Sequence, residues 1–176
     1  MRVFIAVDLS PEARNEIERV SKDFFEIRSA RFVRPENMHV TMKFLGELTE
    51  DAVHQVAVAL KGLEIHPFKV KLSKLGCFPD EANPHVLWAG VEPHMMLDQL
   101  KRIIDRALPS YKDDHPFQSH VTIARLKFPR PDEKTKIASL VKEVKIEPKE
   151  WEVKRIRLMK STLTEKGAVY EEIKLN

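Results

Sequence analysis

Short runs of β-branched and aromatic residues alternate with stretches of helical periodicity along the first half of the chain. Four such runs are predicted as strands: residues 3–8, 31–33, 39–45 and 68–75. Ser10 and Thr49 are placed to cap two intervening helices, and the second helix has its apolar positions on one face. The pattern therefore predicts the order β-α-β-β-α-β before residue 80.

The second half of the chain repeats this order. Its predicted strands are residues 85–91, 120–124 and 151–159, its predicted helices are 96–108 and 132–144, and a hairpin turning at 165–167 leads into a last strand at 168–175. Equivalent residues lie 81 to 83 positions apart: Ala6 and Ala89, His39 and His120, Phe68 and Trp151. So regular an offset favours an internal duplication over a chance likeness among short strands.

The duplication predicts an α+β fold. We expect two lobes related by a pseudo-twofold axis, with antiparallel sheets, helices on the outer faces and a central cleft. No long linker separates the halves, so residues 1–176 should form a single bilobal domain, with repeat one at about 1–80 and repeat two at about 84–176.

The tripeptide His-Val-Thr occurs at the same place in both repeats, at residues 39–41 and 120–122. With 7 histidines and 6 threonines in 176 residues, about 0.24 His-x-Thr would be expected by chance. Because residues i and i+2 of a strand share a face, His39 should lie beside Thr41, and His120 beside Thr122. The pseudo-twofold axis then brings the two pairs together across the cleft.

Two imidazoles and two hydroxyls are suited to phosphodiester chemistry. One imidazole takes a proton from the attacking oxygen, and the other gives a proton to the leaving oxygen. The hydroxyls donate hydrogen bonds to the non-bridging oxygens, whose charge must be held in the transition state. The set lacks the carboxylates usual around magnesium and offers only two histidines for zinc. We therefore expect no metal and no other cofactor.

The same alternation suggests further residues for the cleft. Lys43 shares the face of His39, where it would hold a substrate phosphate or lie as a solvated strand-end lysine. Phe4 also has cleft parity, and both stacking on a nucleobase and packing in the core are open to it. Phe44 is expected to face the helices, and Trp88 is expected in the core.

Composition limits the location and partners of the protein. A net charge of +3 gives little overall attraction to nucleic acid, so any such binding must come from a local basic cleft. The lone Cys77 cannot form an intramolecular disulfide, and no apolar run reaches the roughly 20 residues that span a membrane. We expect a cytoplasmic monomer. Only 4 Asn and 3 Gln among many Lys and Glu indicate a thermophilic source.

These motifs resemble those of the 2H phosphoesterase superfamily. Within it they are similar to the RNA 2′,3′-cyclic phosphodiesterases, also called 2′-5′ RNA ligases. The resemblance covers almost the whole chain and is carried by the first strand, residues 33–46, 86–91 and 116–125, and the closing hairpin at 163–170. Ser119 stands where that family often has proline.

The resemblance implies a substrate, which is RNA or a nucleotide ending in a 2′,3′-cyclic phosphate, opened by water to a 2′-phosphate. It implies that His39 donates a proton to the leaving 3′ oxygen, that His120 accepts one from water, and that Arg125 assists at the phosphate. Strict alternation puts Arg125 on the face opposite His120, so only a bulge or the strand's end would turn it into the cleft. The basic run 125–130 would track an RNA backbone or form a solvated loop.

Two other functions are compatible with the same residues. In the first, a 5′-hydroxyl replaces water and the site joins RNA ends by a 2′-5′ bond. In the second, the chain is a non-catalytic RNA-binding module that keeps the fold. The intact histidines and threonines argue against the binding module.

Overall fold

The computed structural model describes residues 1–175, which contain nine strands and four α-helices. The strands are β1 Arg2–Val7, β2 Ala30–Phe32, β3 Val40–Glu47, β4 Phe68–Phe78, β5 Val86–Glu92, β6 His120–Leu126, β7 Glu150–Val153, β8 Arg157–Thr164 and β9 Gly167–Ile173. The helices are α1 Pro11–Ser21, α2 Glu50–Lys61, α3 His94–Ala107 and α4 Pro131–Glu143, and short 3-10 helices span Lys22–Phe24 and Pro35–Asn37.

The first two helices begin at the predicted capping residues. The Ser10 hydroxyl accepts a hydrogen bond from the Ala13 amide at 3.1 Å, and the Thr49 hydroxyl accepts one from the Ala52 amide at 3.2 Å. The predicted stripe of α2 is buried: Val53, Val56, Ala57 and Leu60. Across residues 1–175, no helix has the length and hydropathy needed to cross a membrane.

The nine strands form one continuous antiparallel sheet rather than two separate ones. Its order is β7-β4-β5-β6-β3-β1-β8-β9, with β2 paired beside β6. The two halves join where Val40 of β3 pairs with Val121 of β6. All four helices contribute to one hydrophobic core against one face of the sheet, and the opposite face carries the cleft. The predicted α+β class is confirmed.

The two halves of the sheet each include a strand from the other repeat. β4, the last strand of repeat one, pairs with β5, whereas β8, from repeat two, pairs with β1. The single strand predicted at residues 151–159 is therefore wrong. It is two strands, because β7 pairs with β4 and the chain then crosses to β1 as β8. Separating the halves would break these pairings.

Candidate active site

The two His-Val-Thr motifs meet at the centre of the sheet. Val40 and Val121 are directly paired and fully buried, and each follows a motif histidine. Continuing the antiparallel register by one residue sets each histidine across from the threonine of the other motif. His39 and His120 lie close enough for the charge of His120 to lower the pKa of His39. The structure thus brings the four predicted side chains together.

Backbone carbonyls fix the orientation of both imidazoles. His39 Nδ1–H donates to the carbonyl oxygen of Asn37 at 2.6 Å, and His120 Nδ1–H donates to that of Gln118 at 2.7 Å. Because a carbonyl oxygen only accepts, these bonds place a proton on Nδ1 and leave Nε2 to exchange protons. His39 Nε2 lies 2.9 Å from the Thr41 hydroxyl.

Aromatic rings surround both histidines. Phe4 stacks on His39 at 4.9 Å between ring centroids, and Tyr170 of β9 meets the same imidazole edge-on at 5.4 Å. Phe78 meets His120 edge-on at 4.9 Å. Burial is the main cause that lowers the pKa of each histidine, because the charged imidazolium loses hydration.

Charged neighbours distinguish the two imidazoles. Burial has the largest effect on His39 and lowers its pKa. The hydrogen bond to the Asn37 carbonyl and the carboxylate of Asp8 raise that pKa, and the charges of His120 and Arg157 lower it. For His120, burial again dominates, its carbonyl contact opposes it, and the charge of Arg125 lowers the pKa further. Asp8 thus favours a protonated His39, although Arg157, which is ion-paired with Asp8 at 2.7 Å, acts against it, and Arg125 favours a neutral His120.

A bulge in β3 makes the predicted cleft position of Lys43 wrong. Ile5 of β1 pairs with Lys43, and the next residue, Ala6, pairs with Thr41, so Met42 is an extra residue. The alternation reverses at this point. The side chain of Lys43 turns toward the helices, and the residue is only 2% exposed to solvent.

Two carboxylates hold the Lys43 ammonium beneath the sheet. Its Nζ donates to Asp105 at 2.8 Å and to Asp113 at 2.7 Å, and Lys101 Nζ binds the same two carboxylates at 2.5 and 2.6 Å. Burial lowers the pKa of Lys43, but these bonds outweigh it, so the pKa is raised. The group is structural, and its charge is already compensated.

An equivalent bulge in β6 turns Arg125 into the cleft. Adjacent residues of β5 pair with Ala124 and Thr122, so Ile123 is the extra residue. Ile123 and Ala124 are both buried, and Arg125 is exposed. Strict alternation had placed Arg125 opposite His120. The bulge that the cleft position requires is present, and Arg125 lies on the face of His120.

Among the aromatic residues, only Phe44 departs from the sequence-based expectation. Phe4 faces the cleft side, but it is 4% exposed beneath His39 and Tyr170, so packing rather than nucleobase stacking describes its ring. Phe44, expected to face the helices, is 63% exposed, and its ring lies 6.2 Å from that of Phe4. Trp88 is buried as expected, although it packs outside the main cluster, and its ring centroid lies 6.4 Å from that of His120. Sequence reasoning missed Phe44 and Tyr170, although both stand in segments that it had singled out.

The remaining titratable groups supply neither a reactive thiol nor a metal-ligand cluster. Burial raises the pKa of the Cys77 thiol to about 12, so it stays protonated near neutral pH. Within the part of the chain that the structure describes, no three His, Cys, Asp or Glu side chains converge as metal ligands.

Comparison with known proteins identifies the family. The model described as "LigT like Phosphoesterase" matches residues 7–88 and again residues 91–170. One match falls on each repeat, which confirms the internal duplication. The chain belongs to the LigT-like phosphoesterase family. It is accordingly an enzyme of phosphoester chemistry.

Relatives of this LigT-like phosphoesterase match along nearly its whole length. Proteins named RNA 2′,3′-cyclic phosphodiesterase from Archaeoglobus fulgidus and Methanocaldococcus jannaschii are 31% and 34% identical, and each alignment covers 99% of both chains. A solved structure from Thermus thermophilus aligns with a TM-score of 0.80 at 28% identity and covers 99% of this chain and 96% of that one. Escherichia coli LigT complexed with 3′-AMP shares the fold, with a TM-score of 0.77, 24% identity and coverage of 98% and 95%.

Proposed function

We propose that this LigT-like phosphoesterase opens the 2′,3′-cyclic phosphodiester at the end of an RNA by metal-free acid–base catalysis and leaves a 2′-phosphomonoester. Cyclic phosphodiester hydrolysis is the activity that the family and the names of the relatives support. The observation that carries the proposal is the Val40–Val121 pair, because continuing its register sets each motif histidine across from the threonine of the other motif.

The electrostatic difference between the imidazoles supports their separate roles. His39, beside Asp8, is the proton donor to the departing 3′ oxygen. His120, beside Arg125, is the base that takes a proton from the attacking water. The water oxygen bonds to phosphorus as the bond from phosphorus to the 3′ oxygen breaks. One proton enters the site on His120 and one leaves it from His39, so a proton exchange with solvent resets the pair.

The other polar groups of the cleft hold the phosphoryl oxygens. Thr41 and Thr122 share the face of the histidines and donate hydrogen bonds to the non-bridging oxygens as their charge grows. Arg125 adds a fixed positive charge on the His120 side. The exposed ring at the His39 end is Phe44, and we assign it the nucleobase contact that sequence analysis considered for Phe4.

The test is to hydrolyse a short RNA ending in a 2′,3′-cyclic phosphate in the presence of EDTA. The product is then treated with a phosphatase that removes only 3′-phosphates. We expect turnover in EDTA and a product that resists this phosphatase. Removal of the phosphate would show that the other ester bond is cut and would reverse the donor and acceptor assignments. Activity that EDTA abolishes and a divalent cation restores would contradict the metal-free mechanism.

A further inference from the structure

We infer that the RNA chain on the 5′ side of the cyclic phosphate lies along the face formed by β2 and β6, with its phosphates on Arg31 and Lys127, beyond Arg125 at the cyclic phosphate. The inference rests on the proposed function and adds to it the path that the RNA takes outside the catalytic cleft. The substrate is a single-stranded oligonucleotide, and a mononucleotide would use only part of the site.

Arg31 and Arg125 are direct partners across the β2–β6 ladder. Directly paired residues of antiparallel strands have side chains on one face, where two like charges destabilise the pair. Both arginines are exposed, and neither forms a salt bridge with any residue between 1 and 175. A bound polyanion would relieve this repulsion.

Lys127 extends the same cationic face. Its amide donates to the carbonyl of Ser29 at 3.0 Å, which continues the β2–β6 pairing, and it stands two residues beyond Arg125. Its exposed ammonium has no carboxylate partner within residues 1–175. Arg130 differs, because Asp132 and Glu133 hold its guanidinium at 3.4 and 3.8 Å. The surface formed by Arg31, Arg125 and Lys127 therefore carries three uncompensated charges.

This surface is continuous with the catalytic cleft. The bulge at Ile123 puts Arg125 on the face of His120, and the charge of Arg125 acts on that imidazole. From His120 to Lys127 the strand extends for at most about 23 Å, which is longer than a single nucleotide. At the other end of the cleft, Arg157 forms salt bridges with Asp8 and Glu172 at 2.7 and 3.0 Å. Its charge is therefore compensated and less available to a phosphate.

Phe128 stands at the end of this surface in an unusual conformation. Its φ angle is 52°, which is uncommon for a bulky residue, and its side chain is 87% exposed. Strained backbone that holds an aromatic ring in solvent is typical of functional positions. An exposed ring beside cations is the arrangement that stacks bases of single-stranded nucleic acid.

The test compares two double variants with equal loss of charge. Arg31→Gln/Lys127→Gln removes two cations from the surface, and Lys61→Gln/Arg102→Gln removes two exposed cations from helices α2 and α3. The value of kcat/KM is measured on a cyclic-phosphate oligonucleotide and on a nucleoside 2′,3′-cyclic phosphate. We expect the ratio of the two values to fall about tenfold in the first variant and to stay at the wild-type level in the second.

Salt dependence gives an independent measurement. The probe is an oligonucleotide ending in a 2′-phosphate, the expected product. The slope of log affinity against log salt should become shallower by about 1.4 in Arg31→Gln/Lys127→Gln, because two single-strand phosphate contacts are lost. Phe128→Ser should weaken binding without changing this slope, because stacking carries no charge. Unchanged affinity in Phe128→Ser would show that this ring makes no contact with the bound RNA.

The outcomes separate this inference from the proposed function. Equal losses on both substrates, or an unchanged ratio, would overturn the RNA path while leaving the hydrolysis intact. If the wild type cleaved neither substrate, the proposed function would be wrong. The salt slope would then decide alone: a shallower slope supports the path, and an unchanged slope overturns it.

Discussion

Different charged side chains act on the two imidazoles of the almost identical motifs: Asp8 raises the pKa of His39, and Arg125 lowers that of His120. Burial lowers the pKa of both His39 and His120 below the usual value of about 6.5. In the proposed mechanism, the productive state has His39 protonated and His120 neutral. Its population is largest between the two pKa values, which belong to the pair as a whole.

The pH dependence follows from these directions. We expect a bell-shaped profile of kcat/KM with its maximum below about pH 6.5, since that parameter reports the free enzyme. The rate falls at higher pH because His39 loses its proton. Arg125→Gln should move the acid limb of the profile to higher pH, because it removes a charge that lowers the pKa of His120. A maximum above about pH 7.5 in the wild type would contradict this account.

Phe44 offers a second test at the level of one side chain. If its exposed ring stacks on the terminal base, Phe44→Ala should raise KM about tenfold with kcat nearly unchanged, from a stacking energy of about 1–3 kcal/mol. Phe44→Trp should restore KM. Leu163→Ala, which truncates another exposed apolar residue, is the matched control. Equal KM values for wild type and Phe44→Ala would contradict the assigned stacking contact.

Among the elements, β3 and β6 show why alternation alone could not place every site residue. The extra residues Met42 and Ile123 are 81 positions apart and so occupy equivalent places in the two repeats. Each bulge depends on how the strand pairs with its neighbour, which the strand's own sequence does not reveal. Residues before the bulge were therefore placed correctly, and Lys43 and Phe44 beyond it were not.

Helices and most strands were predictable because local signals define them. Ser10 and Thr49 cap helices through their own side chains, and apolar periodicity marks the buried face of α2. The break between β7 and β8 was not predictable. Residues 151–159 have continuous strand character, but they divide because each part pairs with a different half of the sheet.

Lys43 connects β3 to α3, and its loss should affect stability rather than substrate binding. Lys43→Met leaves Asp105 and Asp113 with Lys101 alone. The carboxylates are partly exposed, so we expect the free energy of unfolding to fall by about 1–3 kcal/mol, less than for a fully buried pair. Denaturant titration measures this, with exposed Lys61→Met as the control. A raised KM at unchanged stability would instead support a phosphate contact.

On the scale of the whole molecule, the strands paired with the opposite repeat and the composition both indicate a fold that resists thermal unfolding. β4 and β8 each complete the opposite half of the sheet, so the halves should unfold together. The chain has only 4 Asn and 3 Gln, the direction seen in heat-adapted proteins. Calorimetry should show one transition with a midpoint above about 65 °C. A midpoint within the mesophile range would refute the thermophilic interpretation.

The central claim is that two histidines from two repeats act as one acid–base pair. The most direct measurement is kcat on a cyclic-phosphate RNA, in EDTA, for His39→Ala, His120→Ala and the double variant. Each single change should lower kcat by about 10²–10⁴-fold, and the double variant should be little worse than the more impaired single variant. If either folded single variant kept kcat within about tenfold of wild type, the paired mechanism would be contradicted.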